Sequence, residues 1–78
     1  MRQYALTNRG RESFSLISSK LTATISNEPG YHILKYHCDN GSGNSEDIAL
    51  DTSVPRGKVV AKLHEFRKQR LAEVIADL

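Results

Sequence analysis

The stretch ESFSLISSKLTATIS, residues 12–26, supports two readings, and the choice between them sets the fold class. Taken with a period of two, Phe14 and Leu16 fall on even positions, while Leu21, Ala23 and Ile25 fall on odd ones. One change of parity near Ser18 and Ser19 is what a β-bulge in a long, bent strand produces. Taken with helical spacing, Phe14, Ile17, Leu21 and Ile25 form a 3–4 stripe. Six Ser or Thr residues lie between Ser13 and Thr24. Such residues are mediocre helix formers, and they tip the reading to a strand over 12–26.

Upstream, residues 3–7 alternate as a short strand with Tyr4 and Leu6 on one face. Asn8-Arg9-Gly10-Arg11 then reads as a turn in which Gly10 supplies a positive φ. Downstream, Asn27-Glu28-Pro29-Gly30 has the proline and glycine of a type II turn and predicts a hairpin into a strand over 31–38. Residues 38–45, Cys-Asp-Asn-Gly-Ser-Gly-Asn-Ser, hold nothing to bury and read as a mobile, dispensable loop. A strand over 47–51 follows, with Ile48 and Leu50 inward. Pro55, with Ser53 as N-cap, opens a helix over 54–77. The expected fold is therefore α+β: one domain over 1–78, an antiparallel four-stranded meander with one long C-terminal helix on one face.

Residues Tyr4 to Glu12, YALTNRGRE, resemble the strand-to-helix junction that ends many winged-helix repressors. The resemblance covers nine residues and implies a helix from Arg9 onward. It also implies a recognition helix before the strand. No such helix precedes Tyr4, so the strand reading of 12–26 stands and no family is assigned.

Composition narrows the function classes. A chain of 78 residues has room for one thin core, and such domains often complete it by docking on a partner or on a second copy. Hydrophobic residues at 38% and charged residues at 26% are globular proportions. Cys38 is the single cysteine, so no internal disulfide can form, which favours a reducing, cytoplasmic setting. No apolar run reaches the roughly 18 residues of a membrane span. Net charge is only +2, but it is unevenly spread. Arg56, Lys58, Lys62, Arg67, Lys68 and Arg70 face one acid, Glu65, whereas Glu28 to Asp51 holds five acids and Lys35.

On the expected helix, Val59, Val60, Leu63 and Phe66 share one side, and Leu71, Val74, Ile75 and Leu78 cluster roughly 80° away. Arg67 and Arg70 fall between the clusters. Such a split stripe has two readings: the helix wraps its own sheet with the two arginines snorkelling out along their stems, or it packs its first cluster on the sheet and presents the second to another chain. On the second, Arg67, Arg70, Leu71, Val74 and Ile75 are the candidate partner-binding residues. The leading expectation is a small regulatory or adaptor module that binds protein and self-associates. The alternative is a weak nucleic-acid binder using Lys58, Lys62, Arg67, Lys68 and Arg70.

Other constellations carry less. Arg56-Gly57-Lys58 at the start of a helix is a candidate anion site, since free N–H groups and two cations would converge there. It lacks the spacing of a P-loop. His32, His37, Cys38 and His64 match no zinc-ligand pattern; Cys38 is expected to be half-buried and His32 to be an exposed strand residue. Asp39 to Asn44 lacks the closing glutamate of a calcium loop. No nucleophile, base and orienting group fall together. The expectation is a non-enzymatic chain with no metal and no cofactor.

Overall fold

The computed structural model describes residues 1–77. Among them are five helices and two strands, in the order β1 (Arg2–Leu6), α1 (Asn8–Ser19), α2 (Ala23–Ser26), α3 (Pro29–Asn40), α4 (Ser45–Thr52), α5 (Arg56–Lys68) and β2 (Ala72–Asp77). The α+β class and β1 agree with the sequence reading. The four-stranded meander and the single long C-terminal helix do not exist: three expected strands are helical, and the expected helix is a helix followed by a strand.

The hydroxyl-rich stretch is helical because its hydroxyls serve helix ends rather than compete with them. Thr7 caps α1, its Oγ1 accepting from Gly10 N at 3.1 Å, and Thr22 caps α2 by accepting from Ile25 N at 3.2 Å. Ser19 and Ser26 donate back to the carbonyls of Leu16 and Ala23. Each bond satisfies a group that a helix end would otherwise leave open. The helix from Arg9 that the winged-helix resemblance implied is α1. Gly10 is buried inside it, with helical φ, because the Leu71 carbonyl lies where a Cβ would stand.

Pro29-Gly30 opens α3 instead of turning a hairpin. Proline at the first helical position gives up an N–H that has no intrahelical partner there, and its φ already suits the helix. The run 39–45 is likewise not a free loop. α3 continues through Asn40, and Gly43 pairs with Tyr4 in an isolated antiparallel bridge, N to O at 2.8 and 3.0 Å. Gly43 is buried, and a Cβ there would stand 2.6 Å from the Tyr36 ring.

The 54–77 segment breaks after Lys68. Leu71 N donates to Phe66 O at 2.8 Å and Arg70 N to Arg67 O at 3.1 Å, with Arg70 left-handed at φ 60°. This is the Schellman closure of a helix, made here with arginine where glycine is usual. Leu71, Val74 and Ile75 therefore do not extend a helical stripe. Val74 and Ile75 lie on β2, which pairs antiparallel with β1, Leu71 sits in the turn just before it, and Leu78 lies outside the described residues. The ladder shifts between Gln3 and Tyr4, partners of Ala76 and Val74, so Ile75 is the unpaired residue of a bulge.

The core is Tyr4 and Leu6 from β1, Ile33 and Leu34 from α3, Ile48 from α4, Val54, Val59, Leu63 and Phe66 from the α5 region, and Ala72 from β2. Burial of each large member stabilises by about 1.5–3 kcal/mol. Leu50, expected inward on a strand, is 77% exposed on α4.

Candidate nucleic-acid interface

α4 and α5 are joined by three residues, Ser53-Val54-Pro55. Asn44 starts α4, its Oδ1 accepting from Asp47 N at 2.8 Å, and Glu46 and Asp47 place negative charge at the positive end of the helix dipole. The helix ends on Ser53, left-handed at φ 60° and ψ 18°. Thr52 Oγ1 ties the turn down, donating to Ile48 O at 2.6 Å and accepting from Val54 N at 3.3 Å. Val54 is buried and pins the turn to the core. Pro55 then launches α5, its carbonyl accepting from Lys58 N and Val59 N. α4 and α5 are thus a pair of helices joined by a three-residue turn that contains a left-handed residue.

α5 buries Val59, Leu63 and Phe66 of the first cluster expected from the sequence, and leaves its fourth member, Val60, half-buried. Gly57, Ala61, His64 and Lys68 lie roughly 140–200° round from Val59 at 100° per residue, and all four are exposed. In the first half of the helix the centre of this outward face is small, Gly57 and Ala61, and a Cβ on Gly57 would meet nothing within 4 Å; in the second half it carries His64 and Lys68. Lys58 and Glu65 flank it on one side, Arg56 and Arg67 on the other. Lys62 bonds Glu65 at 3.2 Å. Arg56, Lys58, Arg67 and Lys68 have no ion-pair partner among the described residues.

Arg56, Gly57 and Lys58 do occupy the first turn of α5, which has no acidic residue and no side-chain cap. Two like charges thus oppose the helix dipole there, and phosphate oxygens would relieve that conflict. Arg67 closes the same helix. Arg70 belongs to the turn beyond it, its carbonyl accepting from Thr7 Oγ1 at 2.6 Å. Through that bond and Thr7 N to Leu71 O at 3.0 Å, the start of α1 is fixed against the end of α5.

Compared with protein-family models, curated proteins and solved structures, the chain matches none.

The remaining titratable groups stand apart from this face. His37 is buried on α3; its Nδ1 lies 2.8 Å from Gly41 O and its Nε2 has no partner. Burial holds its pKa below the ordinary imidazole value, against the opposing hydrogen bond to Gly41. Burial also raises the Tyr36 phenol, helped by Asp47 and Asp51, and the Cys38 thiol, helped by Asp39. Cys38 is exposed rather than half-buried, and His32 is half-buried on a helix rather than exposed on a strand. Among the described residues no three His, Cys, Asp or Glu side chains converge, and no helix is long and apolar enough to cross a membrane.

Sequence reasoning missed α4, Ser53, Val54, Ala61 and His64 as parts of a site. Two signals point to them: Asn44 with acids two and three positions on, which marks a helix start, and Pro55 soon after, which separates two helices.

Proposed function

We propose that the chain is a duplex-DNA-binding module in which α4 and its turn brace α5 and α5 enters the major groove. The observation that carries this reading is the outward face of α5. A narrow centre at Gly57 and Ala61 lets the helix approach base edges closely, while cations on both flanks reach the two phosphate backbones. The strand-to-helix resemblance of residues 4–12 adds support. In that reading α5, which leads into β2, the partner of β1, takes the place of the recognition helix.

The test is fluorescence anisotropy with a duplex selected from a random pool, repeated across salt concentrations. Contacts from Arg56, Lys58, Arg67 and Lys68 give a slope of log K on log salt of about −3.6, at −0.9 per contact. Arg56→Glu with Lys58→Glu should weaken binding at least about tenfold and flatten the slope, with the circular dichroism unchanged. Binding that ignores both the substitutions and salt overturns the reading.

The protein-binding reading keeps one observation, Ile75, the bulged residue of β2 at 51% exposure. If it seats a second copy, Ile75→Asp converts a sedimenting dimer to monomer; a wild-type monomer at high concentration rejects it.

A further inference from the structure

Four helices flank a cleft of about 310 Å³ that opens to solvent. Its floor is apolar: Ile17 of α1, Ile25 of α2, Leu34 of α3 and Phe66 of α5. Tyr31 adds an aromatic wall, its ring stacked on Phe14 at 5.8 Å between centroids. Gly30 lies opposite the tip of Phe66, and its missing side chain keeps the space open. The volume is at the lower end of ligand sites, about 300–1,000 Å³, which suits a single ring system with a short arm.

The charges at the mouth define the class of ligand. Lys62 and Glu65 line the cleft and neutralise each other at 3.2 Å. Glu28 also lines it, and its carboxylate has no hydrogen-bond or ion-pair partner among the described residues. As the N-cap residue of α3 it makes no side-chain cap bond either. The lining thus offers one uncompensated negative charge beside an apolar floor. We infer that this cleft binds a small monocationic amphipathic molecule, with its ring on Ile17, Ile25, Leu34 and Phe66 and a protonated amine at Glu28.

Tryptamine is a suitable probe, because the chain has no tryptophan and the probe's indole fluorescence can be excited alone. Its anisotropy should rise saturably with added protein, with half-saturation below about 1 mM. The anion indole-3-acetate should bind at least about tenfold more weakly. Glu28→Gln should weaken tryptamine at least about fivefold and leave the fold intact. Gly30→Leu should abolish binding by filling the cleft; its Cβ would stand 3.5 Å from Phe66, an ordinary contact. Failure to saturate, equal binding of the two indoles, or unchanged affinity in Glu28→Gln overturns the proposal. None of these measurements involves DNA, so the result is independent of what α5 reads.

Discussion

The α4–α5 unit and the α1–α2 arm are similar in length but not in anchorage. Ile48, Val59 and Leu63 are 0–1% exposed, and Val54 and Phe66 are buried beside them. In α1 only Gly10 is buried, and in α2 nothing is. Leu16 and Leu21 are 65% and 47% exposed, while Phe14 and Ile17 only lean on the core. The half that presents the cationic face is the half held in place by burial. The half that flanks the cleft is held by capping bonds and one close backbone approach. Rigidity and adaptability are thus assigned to different helices of one small core.

The harshest way to break this contrast is to remove the backbone approach itself. Gly10→Ala drives a methyl into the Leu71 carbonyl, backbone against backbone, with no flexible side chain to yield. It should cost about 3 kcal/mol, read as a fall in the urea midpoint. A near-native midpoint would mean that α1 can lift off the Leu71 turn freely. A matched pair then compares the halves directly. Leu63→Ala, at a site 1% exposed, should cost about 3 kcal/mol, and Ile17→Ala about 1 kcal/mol. Equal losses would erase the distinction.

The pH dependence tests α3, the helix packed between the two halves. His37 is neutral and buried in the folded chain, with a lowered pKa, whereas an unfolded chain protonates it near pH 6.5. Below that value the unfolded state binds the extra proton, so stability is full above about pH 6.5 and falls as the pH drops. Thermal melts between neutral and mildly acidic pH should show the loss, and His37→Leu should remove most of the slope. A slope unchanged by the substitution would assign the dependence to other groups. The smallest effects belong to the two left-handed residues, Ser53 and Arg70. Replacing either with glycine relieves backbone strain, partly offset by the freedom glycine adds to the unfolded chain. Each should raise stability by about 0.5 kcal/mol.

Those two residues also show why part of the fold was hidden. A helix that stops on glycine announces its end; one that stops on Arg70 does not, and α5 and β2 read as a single helix. Pro29-Gly30 is equally good as a type II turn and as a helix opening. Only the burial of Ile33 and Leu34 behind it, a tertiary fact, separates the two. The hydroxyls of residues 12–26 counted against a helix because propensity has no knowledge of which Ser or Thr will cap. What was legible rested on strong local periodicity: Tyr4 and Leu6 on β1, and Val59, Leu63 and Phe66 on α5; Ile48 is inward as expected, but on a helix, where the alternation that paired it with Leu50 fails. Of the candidate site, the cations Arg56, Lys58, Arg67 and Lys68 were visible as composition. The small centre between them appears only once the buried side of α5 is known.

The pairing of β1 with β2 sets Arg2 beside Asp77, so the points at which the chain enters and leaves the fold are about one strand spacing, near 5 Å, apart. Topologically the molecule is a ring opened at the sheet. A turn joining those points and a new opening at the exposed Leu21 and Thr22 would trace the same ring from another start. That order would run α2, α3, α4, α5, β2, β1, α1, placing the YALTNRGRE junction downstream of the helix it was missing. The same closeness lets the whole unit be spliced into a surface loop of a host protein.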